Sequence, residues 1–168
     1  MKKAIALLLA LVMVFALCAC GGGGDSASGD KVVKIGVFEP ASGDSGAGGK
    51  KEMLGMQYAN QETPTVEIGG ETYKVELVYS DNGSDSAKAV SAASKLVNEK
   101  VSLVLGSYGS GVSIAASDTF KQAGIPAIGV TCTNPNVTAG NSHYFRICFL
   151  DPFQGTVLAN YAAKELKA

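Results

Sequence analysis

The chain has 168 residues, of which 46% are hydrophobic and 17% are charged, and its formal net charge is −1. Beyond the N-terminal segment no cluster of lysine and arginine stands out, so the sequence argues against binding to nucleic acid. The length is sufficient for one domain with a hydrophobic core. The composition is that of an ordinary globular protein, without a fixed solenoid repeat and without a Pro-rich or charged low-complexity tract.

The N-terminus has the layout of a secretory signal peptide. Lys2 and Lys3 precede an uncharged apolar run from Ala4 to Leu17, which is shorter than the roughly 20 residues that a membrane-spanning helix needs. The sequence Leu17-Cys18-Ala19-Cys20 resembles the bacterial lipobox, in which a lipid is attached to the final cysteine and the chain is cleaved just before it. The resemblance implies lipidation of Cys20 and an extracytoplasmic, membrane-anchored protein. The alternative is ordinary signal cleavage near the same place, which would release a soluble secreted protein.

Residues 21–30 (GGGGDSASGD) contain no large apolar side chain. Such a segment buries too little apolar surface to offset the conformational entropy lost on ordering, so we predict a flexible Gly/Ser linker.

From residue 31 onward, predicted strands and helices alternate along the chain. The predicted strands are 32–38, 65–68, 72–79, 101–105, 126–130 and 144–150, and the predicted helices are 50–62, 87–99, 112–123 and 151–168. Ser84 or Asp85 is a suitable N-cap for the second helix, and residues 65–79 form a hairpin around Gly69-Gly70. Alternation of this kind predicts an α/β fold with a doubly wound, mainly parallel open sheet and helices on both faces.

In such sheets ligands bind beyond the carboxyl ends of the strands, where successive loops converge. Four loops qualify: 39–49, 81–84, 106–111 and 131–136. The third contains Ser110 at the start of a helix, where main-chain amides and a hydroxyl suit a small anionic group such as a carboxylate. The alternative is a plain glycine-rich turn in which Ser110 caps its own helix. In the fourth loop, Thr131 and Thr133 offer two hydroxyls and free backbone groups to a ligand. The alternative is that these threonines and Asn134 are ordinary turn formers.

Catalytic and metal-binding patterns are poor. The chain has one histidine, His143, and it contains no GxSxG elbow, no P-loop and no Cys/His spacing that suits zinc. The aspartates are better explained as caps or turn residues than as an acid/base pair. We therefore predict no enzymatic activity, no metal and no cofactor. Cys132 and Cys148 lie in apolar strand-like surroundings, and we favour unpaired thiols over a disulfide.

Five stretches carry a family resemblance. In chain order they are VKIGVFEPASG, YKVELVYSDNGSDSAKAVSAASKLVNEK, VSLVLGSYGSGVSIAASDTF, GIPAIGVTCTNPNVT and YFRICFLDPFQG, and they cover nearly everything from Lys31 onward. Their order and spacing resemble the branched-chain amino-acid-binding proteins of ABC importers, the leucine/isoleucine/valine-type periplasmic binding proteins. The resemblance implies a type I periplasmic-binding-protein lobe, a small amino acid or related amide as ligand, and an ABC permease as partner. A ligand-binding lobe of a sensory receptor, which shares this fold, is the alternative.

The resemblance also implies the ligand-binding residues. Ser110 falls on the family's carboxylate-binding serine, while Thr131, Cys132 and Thr133 fall on the loop that contributes backbone groups and a hydroxyl. Tyr108 is adjacent, and either lines the pocket wall or packs in the core.

The chain departs from some members of the family in two places. It has only glycine and alanine at 46–49, where those members carry an aromatic wall. It also lacks a loop-to-loop disulfide, since Gly83 and Gly109 occupy the two positions.

The family has two lobes that close on the ligand, and this sequence matches the first. The resemblance implies an N-terminal ligand-binding lobe over residues 31–146. Residues 147–168 then correspond to a hinge strand and the first helix of a second lobe. One lobe alone could present half of a binding site but could not enclose a ligand.

Overall fold

The computed structural model describes residues 31–168, so the predictions for Cys20 and for the linker at residues 21–30 lie outside the described residues. The sheet of the described part has six strands in the order β2-β3-β1-β4-β5-β6. Neighbouring strands pair in parallel, except for the antiparallel β2–β3 hairpin. The strands are β1 (Val32–Glu39), β2 (Thr65–Ile68), β3 (Glu71–Asp81), β4 (Leu103–Leu105), β5 (Ala127–Gly129) and β6 (Tyr144–Arg146).

Four α-helices accompany the sheet in residues 31–168. They are α1 (Gly46–Glu62), α2 (Ser86–Asn98), α3 (Ser110–Gln122) and α4 (Asp151–Tyr161), with a 3-10 turn at Pro135–Val137 and a π-helical turn at Ala162–Leu166. Strand β3 lies on one side of β1 in the sheet, whereas β4 and β5 lie on the other side. The connection from β1 to β3 therefore runs across the sheet in the opposite direction to the connections from β3 to β4 and from β4 to β5. Right-handed crossovers therefore place α1 on one face, and α2 and α3 on the opposite face. This confirms the predicted doubly wound α/β class.

The hydrophobic core lies between the sheet and the face formed by α2 and α3. Phe38 on β1, Leu96 on α2, Val104 on β4 and Phe120 on α3 are all buried in it. The rings of Phe38 and Phe120 meet edge to face, with centroids 5.5 Å apart. Each such side chain contributes about 1.5–3 kcal/mol through burial, so this face fixes the positions of β1 and β4, whose carboxyl ends carry the candidate site.

The structure corrects several predicted boundaries. Helix α1 begins at Gly46, four residues before the predicted start, because its glycine-rich first turn lies against the loop after β1. A Cβ at Gly49 would lie 2.3 Å from the carbonyl oxygen of Pro40, so only glycine permits this approach. Strand β1 includes Glu39, which the sequence placed in the loop. Strand β6 ends at Arg146 rather than at residue 150, since its partner β5 ends at Gly129.

Helix α4 differs from the other helices because none of its residues is buried. Its apolar side chains, Phe153, Val157, Leu158 and Tyr161, are exposed. The α-helix ends at Tyr161, and a π-helical turn takes the place of the predicted helix over the last residues. Within residues 31–168, no helix combines the length and the apolar character that a membrane crossing requires.

Candidate ligand-binding site

The loops after β1 and β3 are joined by the carboxylate of Asp81. Its Oδ1 accepts hydrogen bonds from the backbone N–H groups of Ala41 and Gly83, both at 2.8 Å, and its Oδ2 accepts one from the Ser42 hydroxyl at 2.7 Å. Partial burial of the carboxyl opposes ionisation, but these hydrogen bonds outweigh it and lower the pKa of Asp81. Asp81 is thus a turn-stabilising residue, and Asp85 caps α2 by accepting from the N–H of Ala87.

Tyr108 lies in the loop after β4, and its ring lies on the first turn of α1. A Cβ at Gly48 would come within 2.4 Å of the Tyr108 Cζ atom. The side chain is 42% exposed, so it forms a wall rather than part of the core. Tyr108 thereby provides an aromatic surface beside residues 46–49, where the sequence itself has none. It borders a cavity of about 670 Å³ together with Asp44, Ser45, Ala47, Gly48, Lys51, Glu52 and Thr131.

Ser110 is the first residue of α3, and the structure contradicts the interpretation that it caps its own helix. The N-cap is Gly109, which has no side chain to cap with, and the Ser113 hydroxyl donates to the Gly109 carbonyl at 3.1 Å. The Ser110 Oγ instead accepts from the backbone N–H of Asn134 at 3.3 Å, which links α3 to the loop after β5. The first-turn N–H groups of a helix lack intrahelical acceptors and favour an anion, so this end of α3 suits a carboxylate.

The predicted residues of the loop after β5 face different surroundings. Thr131 is exposed, and its hydroxyl donates to the Glu52 carboxylate and lies 3.4 Å from the Tyr108 carbonyl oxygen. Thr133 is half-buried, and its carbonyl oxygen accepts from the N–H of Asp151 at 3.1 Å. Cys132 is buried, and burial raises the pKa of its thiol. Its side chain therefore points into the core, and a ligand could reach Cys132 only through its backbone.

Arg146, the only arginine of the chain, was not anticipated from the sequence. Its guanidinium donates to the carbonyl oxygens of Cys132 at 2.8 Å, Asn134 at 2.9 Å and Pro135 at 3.2 Å, and to the Thr138 hydroxyl at 2.9 Å. A rigid fork of donors thus fixes the backbone of the loop that contains Thr131–Thr133. A lone arginine within a short, otherwise apolar strand is the one sequence signal that could have marked it.

Glu39 and Glu52 were also missed. Glu39 ends β1, is only 1% exposed, and accepts a hydrogen bond from the Tyr108 N–H at 2.7 Å. Burial, together with the adjacent Glu52 carboxyl, raises the pKa of Glu39 to about 10. Glu52 projects from α1, and its Oε1 accepts a hydrogen bond from the Thr131 hydroxyl. Both glutamates therefore contact groups of the predicted binding site.

No cluster of three or more potential metal ligands occurs among residues 31–168. Both cysteines of this part of the chain, Cys132 and Cys148, are free thiols.

The described residues form an α/β lobe with a mainly parallel sheet and a cavity at the carboxyl ends of its strands, which is where open α/β sheets generally bind ligands. The family model described as periplasmic binding protein matches residues 32–168. The chain therefore belongs to the periplasmic binding protein family, and its fold is that of a type I lobe.

Individual relatives agree with this assignment. An amino acid binding protein of Pseudomonas aeruginosa is 37% identical over 139 residues, which are 81% of this chain and 37% of that protein. The leucine binding protein LivK of Thermotoga maritima superimposes with a TM-score of 0.75 at 38% identity, covering 82% of this chain and 38% of LivK. LivJ of Streptococcus pneumoniae, solved in complex with isoleucine, gives a TM-score of 0.74 at 34% identity, covering 82% of this chain and 40% of LivJ. The chain thus spans well under half the length of these relatives.

Proposed function

We propose that this chain is the first lobe of an extracytoplasmic solute-binding protein that delivers a small amino acid or related amide to an ABC permease. The observation that carries the proposal is that Tyr108 and Thr131 border one cavity at the carboxyl ends of the strands, with the Thr131 hydroxyl 3.4 Å from the Tyr108 carbonyl oxygen. Ser110 does not line this cavity, but at the start of α3 it accepts from the Asn134 N–H of the loop that contains Thr131. Amides at a helix N-terminus suit the ligand's carboxylate, and nearby carbonyl and hydroxyl oxygens suit its ammonium. The isoleucine bound to LivJ, a 34% identical relative, supports this ligand class.

We assign residues 31–146 to the first lobe and residues 147–168 to a hinge segment and the first helix of a second lobe. The exposed apolar side chains of α4 support this division, because they have no core of their own to pack in. The ligand would bind between the lobes and stabilise the closed arrangement over the open one. This is a shift in population, and it involves no chemical step.

Titration calorimetry of the full-length protein with leucine, isoleucine, valine and smaller amino acids tests the function. We expect saturable binding of at least one of them, and an absence of binding across the series would contradict the proposal.

We further propose that Cys20 anchors the protein to the outer face of the cytoplasmic membrane through a lipid, with residues 21–30 as the tether. The lipobox-like sequence from Leu17 to Cys20 supports this. Metabolic labelling with a radioactive fatty acid should mark the wild type but not Cys20→Ala. Equal labelling of both proteins would contradict the anchor while leaving the ligand-binding proposal intact.

A further inference from the structure

Glu39 and Glu52 bring two carboxyl groups together beneath the candidate site. Glu39 ends β1 and Glu52 projects from α1, and the two carboxyl groups lie within hydrogen-bonding reach of each other. Each uses one oxygen to hold a different loop. Glu39 Oε2 accepts from the Tyr108 N–H at 2.7 Å, and Glu52 Oε1 accepts from the Thr131 hydroxyl. The pair therefore connects β1 and α1 to the loops after β4 and β5.

The remaining oxygen of each carboxyl group, Glu39 Oε1 and Glu52 Oε2, is buried without a hydrogen-bond partner among the described residues if both groups are ionised. A carboxylate can only accept hydrogen bonds, so two facing carboxylates would repel each other and leave both oxygens unsatisfied. One proton between these oxygens removes the repulsion and gives each of them a partner.

Among the described residues, no neighbouring charged or titratable group neutralises the two carboxyl groups in place of a shared proton. The two ion pairs of residues 31–168, Lys31–Glu71 and Lys34–Glu99, involve neither carboxyl group. Asp44 and Lys51 border the cavity beside Glu52; Asp44 is itself acidic, and Lys51 forms no ion pair with Glu52. On the side of β6 the Tyr144 phenol is buried and donates to the Gly106 carbonyl oxygen at 2.7 Å. No cation in the described part of the chain thus lies within ion-pair distance to compensate two negative charges.

We propose that Glu39 and Glu52 share one proton, and that this carboxyl–carboxylate pair positions Tyr108 and Thr131 for ligand binding. The inference rests on the proposed function for the identity of the site. In this role the two glutamates are positioning residues, since they act through Tyr108 and Thr131. Their hydrogen bonds to Tyr108 and Thr131 connect segments that are 69 and 79 residues apart in sequence.

Glutamine substitutions test the shared proton, because a side-chain amide both donates and accepts as a protonated carboxyl does. In Glu52→Gln the amide oxygen keeps the Thr131 hydrogen bond while the NH₂ group donates to Glu39. We expect isoleucine affinity at pH 7, measured by calorimetry on the full-length protein, to stay within about threefold of wild type. Glu52→Ala removes both contacts and should weaken binding by about tenfold or more. Glu62→Gln, at the exposed end of α1, is the matched control.

A spectroscopic measurement reads the proton directly. At pH 8 the infrared spectrum of the wild type should contain the C=O stretch of a protonated carboxylic acid, which should be absent in Glu39→Gln and present in Glu62→Gln. The band's absence in the wild type would overturn the shared proton. Equal loss of isoleucine binding in Glu52→Gln and Glu52→Ala would overturn the positioning role. If the wild type binds no amino acid, the proposed function fails, and the infrared band still decides whether the pair holds a proton.

Discussion

The Tyr108 ring lies directly on Gly48, so the aromatic wall of the cavity and the first turn of α1 depend on each other. A Cβ at Gly48 would lie 2.4–2.7 Å from three atoms of the Tyr108 ring. Real side chains do not tolerate such distances, and the 42% exposed Tyr108 side chain would have to move. The glycines at 46–49, which in sequence look like a missing wall, are what allow Tyr108 to form one.

Gly48→Ala should therefore weaken ligand binding without unfolding the protein. We expect about a tenfold loss of isoleucine affinity by calorimetry, because Tyr108 is displaced, while the helix gains up to about 1 kcal/mol from replacing glycine. Gly55→Ala is the control on the same helix, since nothing lies within 4 Å of the Cβ it adds. It should raise the free energy of unfolding and leave affinity unchanged. Adding Tyr108→Ala to Gly48→Ala should cost little further affinity, and full additivity of the two losses would contradict the contact.

Ser110→Ala should weaken ligand binding by about 1–3 kcal/mol, which is the cost of removing a hydrogen bond from a charged partner in a closed site. It also removes the acceptor for the Asn134 N–H, so part of the loss comes from the loop after β5. Calorimetry of the full-length protein measures the change. Ser91→Ala on the exposed face of α2 is the matched control and should leave affinity unchanged. A dissociation constant for Ser110→Ala equal to that of the wild type would remove Ser110 from the site.

Stability should fall as pH rises, on account of Glu39. Its pKa is about 10 in the folded protein against an ordinary value of 4.5, so between these pH values the folded state holds a proton that the unfolded chain has released. The stabilising effect of that proton is complete below pH 4.5 and is lost progressively as pH rises toward 10. The limiting slope for one proton is about −1.4 kcal/mol per pH unit in the free energy of unfolding.

Glu39→Gln removes this titration. Urea unfolding at pH 6, 7.5 and 9 should show the variant gaining stability relative to wild type as pH rises, whereas Glu62→Gln should follow the wild type at every pH. A constant difference between Glu39→Gln and wild type across that range would show that Glu39 does not carry the proton.

The fold was predictable from the sequence because its signals are local. The run from Val32 to Phe38 is apolar enough to identify a buried strand, and the Thr63-Pro64 step ends a helix regardless of its neighbours. Once strands and helices alternate, the handedness of crossovers leaves few topologies. The loops with Ser110 and Thr131 then fall at the carboxyl edge of the sheet without knowledge of any side-chain contact.

The supporting contacts were not predictable because they join distant segments. Glu39 follows an apolar strand and resembles the start of a polar loop, and only the tertiary structure shows that Glu52 and the Tyr108 N–H surround it. Arg146 likewise shows no periodicity that reveals its acceptors in the loop after β5. The α1 boundary was wrong for a related reason. Glycine has low helix propensity, but close approach to Pro40 outweighs that preference at Gly49.

Arg146 should prove essential for the order of the loop that carries Thr131–Thr133. Its guanidinium donates to four acceptors at once, three of which are backbone carbonyl oxygens. Arg146→Met keeps the apolar stem and removes every donor, so we expect a loss of about 2–3 kcal/mol in the free energy of unfolding by urea titration, together with weaker isoleucine binding. Arg146→Lys keeps the charge but cannot reproduce the planar fork, and it should recover only part of the loss. Full recovery by lysine would show that charge rather than the geometry of the fork holds the loop. An unchanged stability in Arg146→Met would mean that the loop is fixed by its own turn residues, such as Asn134, whose side chain accepts from the Asn136 N–H.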